Sequence, residues 1–262
     1  MPYKLIILDL DHTLLKEDLT LSDHNARTLA RCQAQGVSVT IATGRMLHSA
    51  LPHALTAGVT LPIITCQGAL LSTLSGAVIN RQPLANQTAR QLLSLLAPFP
   101  LDVICCHNDQ VYAASAREDY RYQDTLPKLG HHHLPLPDDI GDIEPLKIGA
   151  NGAPEAIAQA CAAVNAALGE AIHAVQSSPY FLEITHPAAT KSRAAAILAQ
   201  RLGIDHEEII AFGDSMNDLD LLQFAGMGVA VANAAPQVLA AADYITDTNE
   251  NDGVAKALAE LL

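Results

Sequence analysis

Apolar and polar positions along the chain fall into three stretches with different rhythms. Lys4 to Leu8 is a short apolar run that stops at an acidic pair, and Ser22 to Gln35 follows with helical spacing, capped by Ser22 and ended by Gly36. Val37 to Ala42 predicts a second strand, Leu47 to Thr56 a helix and Pro62 to Cys66 a third strand. Strand, helix, strand, helix, strand predicts a parallel sheet covered on both faces. The runs Ala69 to Ser72 and Val78 to Asn80, separated by Ser75-Gly76, predict a hairpin.

From residue 84 to 187 the rhythm changes. A helix (Asn86 to Leu96) precedes strands at Leu101 to Cys106 and Val111 to Ala114. After a Pro- and His-containing stretch come a strand (Leu146 to Ala150), a helix (Ala156 to Leu168) and two strands (Ile172 to Gln176, Phe181 to Thr185). Such order predicts an α+β insert built mostly from hairpins. Alternation resumes at Lys191: helix to Leu202, strand Ile209 to Phe212, helix Asp218 to Ala225, strand Gly228 to Val231, a short helix, strand Tyr244 to Thr246 and a final helix. The expected architecture is therefore α/β, a Rossmann-like parallel sheet core made of residues 1–83 and 188–262, with an inserted α+β domain at 84–187.

Half of the 262 residues are apolar, which excludes disorder and allows a sizeable core. Fifteen basic residues stand against 28 acidic ones, a formal net charge of -13 that disfavours nucleic acid and anionic membrane as partners. A small phosphorylated ligand would then need a local cation or helix N-termini to bind. Asp9 interrupts the first apolar run before a signal peptide or membrane span can form, so a cytoplasmic location is expected. Cys32, Cys66, Cys105, Cys106 and Cys161 lack C-x-x-C spacing and suggest reduced core thiols, with Cys105 and Cys106 on opposite faces of a strand. Monomer and dimer are left equally open.

Four short motifs carry chemistry. Asp9 and Asp11 end the first strand; two apart, their side chains leave one face of the sheet, and two close carboxylates either raise a pKa or hold a divalent cation between them. The pattern D-x-D-x-T alone would arise by chance in about three chains of this length per hundred. Thr43-Gly44-Arg45 ends the second strand and offers a hydroxyl and free amides at the start of a helix. Lys191 opens the helix after the insert and supplies the cation that the acidic composition demands. Gly213-Asp214-Ser215-Met216-Asn217-Asp218 follows another strand, bringing two more carboxylates and an amide to the edge where ligands bind in open parallel sheets. Each has a plain structural reading as a turn, a cap or a solvated charge; the four in order converge on one point.

These four segments resemble motifs one to four of the haloacid dehalogenase superfamily, and the large insert is similar to the C2-type cap of its Cof-type phosphatases. The resemblance runs essentially end to end. It implies that Asp9 is a nucleophile, that Asp11 is general acid and then base, that Thr43 and Lys191 bind phosphate, and that Mg2+ is held by Asp9, the Asp11 carbonyl and Asp214. Amides near Leu10 and Gly44, with the Asn217 side chain, can then donate to phosphoryl oxygens, and Asp218 would steady Lys191 or a metal-bound water. The implied reaction is hydrolysis of a small phosphorylated metabolite through an aspartyl-phosphate. The alternatives are a phosphotransferase or mutase, and a non-catalytic phosphometabolite-binding protein. His12 replaces the usual glycine after the second aspartate, Gln67-Gly68 the usual Asn-Gly, and Ser192 a common glycine, which leaves the pocket's shape open.

The insert carries five Lys or Arg against twelve Asp or Glu, which does not suit a polyphosphate. Arg45, Lys147 and Glu183 are the candidates for contact with the leaving part of the substrate. With aromatic residues at 4% and no Trp, a polyol contact is favoured over a stacking platform, so sugar phosphates lead. The triple His131-His132-His133 lacks the i, i+4 spacing of a helical metal site and is expected in a solvated loop.

Overall fold

In the computed structural model of the protein, residues 3–113, 133–135 and 140–262 are described. Every residue of β1 (Leu5–Leu8) is fully buried, as a strand flanked by neighbours and covered on both faces requires. It pairs in parallel with β2 (Ser38–Ile41) on one side and β12 (Ile209–Gly213) on the other. With β13 (Met227–Ala230) and β14 (Tyr244–Ile245) the five strands run β14-β13-β12-β1-β2, all parallel. The C-terminal ends of the strands therefore share one edge, and the segments that follow β1, β2 and β12 meet there.

Helix α1 (Asp23–Ala34) starts as its sequence predicts, with the Ser22 side chain accepting from the Asn25 amide. Helix α2 spans Leu47–Thr56. The third strand, β3 (Ile63–Thr65), lies where its run places it and meets the end of β2 in parallel through the bridge of Ala42 with Ile64, where the Thr43 amide donates to the Ile64 carbonyl at 3.0 Å, but it is not a member of the five-stranded parallel sheet. It instead opens a three-stranded sheet with β4 (Leu70–Ser72) and β5 (Val78–Arg81), pairing antiparallel with β4. The cause is local. Cys66, Gln67 and Gly68 all have positive φ (51°, 60° and 92°), which folds the chain straight back after Thr65.

The chain divides into two compact units. The first comprises Met1–Arg45, Ala50–Asn80 and Thr190–Leu262; the second comprises Arg81–Ala189 together with Met46–Ser49, where the His48 amide donates to Asp109 at 3.2 Å. Completing the first unit are α5 (Lys191–Leu202), α6 (Leu219–Phe224), α7 (Pro236–Ala241) and α8 (Gly253–Leu261), the numbers 3 and 4 falling in the second unit. Leu198, Leu221, Leu222 and Val238 from these helices pack on Leu5, Ile7, Ile209 and Ala211 of the sheet.

The second unit holds α3 (Asn86–Leu96), β6 (Asp102–His107), β7 (Gln110–Ala113), β8 (His133–Pro135), β9 (Lys147–Asn151), α4 (Pro154–Leu168), β10 (His173–Ser178) and β11 (Phe181–Thr185). Its sheet runs β10-β11-β9-β6-β7-β8, antiparallel except for β7 with β8. Leu92 and Leu96 of α3 and Ile157 and Val164 of α4 share one core with Val103, Cys105, Ile148 and Leu182 of the strands. Cys105 enters that core and the adjacent Cys106 faces the other way, as strand alternation dictates. Burial pushes both thiols up, to about 12 and about 11, so neither is a reactive thiolate near neutral pH. Of the three consecutive histidines, His131 and His132 lie outside the described residues and His133 opens β8. No helix among the described residues is long and apolar enough to cross a membrane.

Candidate active site

Asp9 leaves β1 with its amide donating to the Phe212 carbonyl of β12 at 3.1 Å, and the chain then coils tightly from Leu10 to Leu14. His12 sits in this coil at φ 58°, a conformation histidine tolerates better than most residues, so the turn survives without the usual glycine. Two asparagines far away in sequence hold it. Asn233 donates to the His12 carbonyl at 2.8 Å, and Asn249, nearly buried, donates to the Leu15 carbonyl at 2.9 Å.

Lys191 is the first residue of α5, whose N-cap Thr190 accepts from the Arg193 amide. Its side chain is fully buried, with Nζ 2.6 Å from Asp9 Oδ1 and 2.5 Å from Asp218 Oδ1. The other Asp218 oxygen accepts from the amides of Asp214 and Ser215 at 3.2 and 3.1 Å, so Asp218 ties the loop after β12 to the lysine. Ser192 adds a second tie, its amide donating to Asp220 at 3.0 Å. Asp214 accepts from the Thr13 hydroxyl at 3.0 Å. Oxygens of Asp9, Asp214 and Asp218 all lie within 4.8 Å of one another.

Gly68 explains how the lysine is placed. A Cβ there would lie 2.1 Å from the Thr190 carbonyl oxygen and 2.9 Å from the Lys191 amide, so the loop after β3 lies flat against the backbone that launches α5. Gly68→Ala is expected to destabilise the protein by roughly 2–4 kcal/mol, through backbone strain at positive φ and the displacement of Thr190. Urea unfolding measures it; a loss under about 1 kcal/mol would show that this contact relaxes freely.

The electrostatics follow from burial. Burial pushes the Asp9 carboxyl well above its ordinary range; Lys191 pulls it back, while Asp218, Asp214 and Asp11 add to the rise. Asp214 is raised to about 7, first by burial and then by the Asp218 charge, against the opposing Thr13 hydrogen bond and Lys191. Burial works against the Lys191 charge too, but Asp218 and Asp9 outweigh it and hold its pKa above that of an ordinary lysine. Three carboxylates thus share one ammonium and remain short of positive charge. An all-oxygen donor set in that condition fits a hard divalent cation such as Mg2+.

Asp11 departs from the expectation that its carboxylate joins that of Asp9. The strand ends at Leu8, so two-residue alternation no longer governs Asp11, and its place in the carboxylate cluster is taken by Asp218. Its carboxylate lies instead in the fork of Arg45, with Nε 2.8 Å from Oδ2 and Nη2 2.5 Å from Oδ1. Although burial opposes ionisation, that hydrogen-bonded pairing and the guanidinium charge hold the Asp11 carboxyl below the usual carboxylate range.

The Thr43 hydroxyl accepts from the Arg45 amide at 3.1 Å, which leaves its own O–H to donate. Leu10 is buried in the coil after Asp9, and Gly44 lies between Thr43 and Arg45 in the turn after β2. Asn217 accepts from the Ser215 hydroxyl at 2.6 Å. Lys147 and Glu183 pair with each other at 2.6 Å on neighbouring strands of the second unit. The sequence reading gave no role to Thr13, His53, Asp220, Asn233 or Asn249. Only Thr13 carried a signal, being the last residue of the first motif.

The family model for haloacid dehalogenase-like hydrolases matches residues 6–258. The chain belongs to this family. Among haloacid dehalogenase-like hydrolases it stands with the phosphoric monoester hydrolases. It is 30% identical over 266 residues to the putative phosphatase YxeH of Bacillus subtilis, covering 99% of this chain and 98% of that one. It is equally 30% identical over 260 residues to the 5-amino-6-(5-phospho-D-ribitylamino)uracil phosphatase YcsE of the same organism, covering 97% and 94%. A crystal structure of a haloacid dehalogenase-like hydrolase from Bacteroides thetaiotaomicron superposes with a TM-score of 0.86 at 30% identity, covering 99% of this chain and all of that one.

Proposed function

We propose that the protein is a Mg2+-dependent phosphatase that hydrolyses a small phosphorylated metabolite through an aspartyl-phosphate on Asp9. The observation that carries this reading is the buried Asp9 carboxylate at the end of β1, one oxygen on Lys191 and the cluster with Asp214 and Asp218 beside it.

Asp9 attacks phosphorus in line, and the P–O bond to the leaving alcohol breaks as the acyl phosphate forms. Lys191 faces the charge that accumulates on the transferring group, and the Thr43 hydroxyl with amides near Leu10 and Gly44 donates to its oxygens, joined by the Asn217 side chain. Asp11, which Arg45 keeps ionised in this structure, has to take up a proton before it can deliver one to the departing oxygen; left as a carboxylate, it then takes one from the water that cleaves the acyl phosphate. Asp9, Asp214 and the Asp11 carbonyl would hold Mg2+, with Asp218 steadying Lys191; the bound ion supplies further neutralisation of phosphoryl charge. Residues 1–83 and 188–262 serve as catalytic core, and the insert at 84–187 as the cap that contacts the leaving part of the substrate, with Lys147 and Glu183 as candidates.

A sugar or polyol phosphate is the favoured substrate. YcsE, similar along nearly the whole chain, is named for a substrate whose phosphate sits on a ribityl chain, and an HMP-PP phosphatase from Enterobacter is 27% identical over 253 residues. The scarcity of aromatic residues favours the polyol end of that range.

Turnover of p-nitrophenyl phosphate with and without metal tests the class. Exhaustive chelation is expected to silence the enzyme, Mg2+ to restore it, and Ca2+ to restore little because its longer bonds misplace the nucleophile. Full activity after chelation would refute the metal assignment. A panel of phosphorylated metabolites then ranks the substrates.

A further inference from the structure

We propose that Gln67 is a positioning residue for phosphate binding: its backbone amide, presented by a left-handed turn, sets where the Thr43 hydroxyl stands relative to Lys191. The inference rests on the reading of Thr43 and Lys191 as groups that bind the phosphoryl oxygens.

The turn Thr43-Gly44-Arg45 is held by the loop after β3. The Cys66 amide donates to the Arg45 carbonyl at 2.8 Å, and the Gln67 amide donates to the Thr43 carbonyl at 3.1 Å. From the strand itself, the Ile64 carbonyl accepts from the Thr43 amide at 3.0 Å. The Thr43 hydroxyl oxygen accepts from the Arg45 amide at 3.1 Å. Thr43 is buried and fixed at its amide, its carbonyl and its hydroxyl oxygen, so the direction in which its O–H donates is set by this backbone.

Successive amides of an extended chain point to opposite sides, and a strand continued past Thr65 could not serve both carbonyls of one turn. Positive φ at Cys66 and Gln67, 51° and 60°, brings the two amides to the same side. Residues that carry a Cβ adopt this conformation at a cost, and glycine adopts it freely. The glycine stands one place later, where space requires it: a Cβ on Gly68 would lie 2.1 Å from the Thr190 carbonyl oxygen and 2.9 Å from the Lys191 amide. Three successive residues thus connect the backbone that launches Lys191 to the turn that carries Thr43.

Strain kept at two adjacent residues beside a reaction centre points to a task for the backbone they hold. Here the task is spacing. Lys191 is anchored through Asp9 and Asp218, and the bridge through Gly68 and Gln67 fixes Thr43 against it, so hydroxyl and ammonium are aligned on one phosphoryl group before it binds.

Inorganic phosphate is the probe, read as its competitive inhibition constant on p-nitrophenyl phosphate with Mg2+ present. A β-branched residue resists positive φ, whereas glycine and asparagine accept it. Gln67→Val is expected to raise the inhibition constant and KM about tenfold each, while Gln67→Gly and Gln67→Asn leave both within about twofold. A loss of global stability alone would lower the active fraction, and with it kcat, without moving the inhibition constant. Thr43→Val is also expected to raise that constant, and Gln67→Val added to it should cost less than about twofold more. Should Gln67→Val not fold by circular dichroism, an ester in place of the peptide bond between Cys66 and Gln67 removes the donor alone, with the same rise expected.

An unchanged constant in Gln67→Val or in the ester variant, beside a raised one in Thr43→Val, overturns this inference alone. Equal rises in Gln67→Gly and Gln67→Val would assign the effect to the glutamine side chain and overturn it too, as would full additivity with Thr43→Val. A Thr43→Val enzyme that binds phosphate as the unaltered protein does removes the reading of Thr43 and this inference with it.

Discussion

Asp9→Asn is expected to lose at least about a thousandfold in kcat while remaining folded, because an amide nitrogen or oxygen in that place does not attack phosphorus. The pKa of Asp9 adds a second expectation that separates chemistry from stability. Burial raises it well above the ordinary value, so the folded protein disfavours the charged form at neutral pH. A neutral amide of nearly the same shape removes that penalty, and Lys191 keeps its partner Asp218. The melting temperature in the absence of metal should therefore be equal to or higher than that of the unaltered protein. Retention of more than about a hundredth of the rate on p-nitrophenyl phosphate would sink the nucleophile assignment.

Lys191→Met should be the most damaging single change, affecting fold and activity together. It leaves Asp9 and Asp218 buried without their ammonium partner, and breaking a buried pair in this way costs about 3–5 kcal/mol. Lys191 is held above the ordinary lysine value of 10.5, so its contribution is fully present at and below that pH and is lost only as pH rises beyond it. Urea unfolding at pH 7 should thus show the whole loss. The stranded carboxylates can escape part of the cost by binding protons, which makes the variant regain stability as pH falls; the gap should narrow at pH 5. At least a hundredfold loss in kcat is expected beside it, since no other side-chain cation lies on Asp9 among the described residues. A variant as stable as the original at pH 7 would show that the carboxylates relax into water, and that the buried ion pair is not what holds the loops together.

Much of this site was legible in the residues. Period-two and helical runs located β1, β12, α3, α5 and β11, several to the residue, because each is long enough or apolar enough for burial to set its pattern. Asp9, Lys191 and Asp214 were found from the same logic, since a polar group at the end of a buried parallel strand or the start of the next helix has one edge to occupy. The third strand was located, but not its pairing with β4, for a reason the runs do not contain: three successive positive-φ residues, two of them not glycine, reverse the chain after Thr65.

What the chain alone determined is the order of elements and the set of groups delivered to one sheet edge, because both depend on neighbours in sequence. What only the tertiary structure decided is which of those groups touch. Asp218 rather than Asp11 completes the carboxylate cluster, Arg45 turns to Asp11, and His53, Thr13, Asn233 and Asn249 become supports of the site. Those pairings join residues up to 234 positions apart, and no periodicity reports them. They are set by loop backbone at the strand ends, where coil geometry aims each side chain and the need of buried charge for a partner selects what it meets.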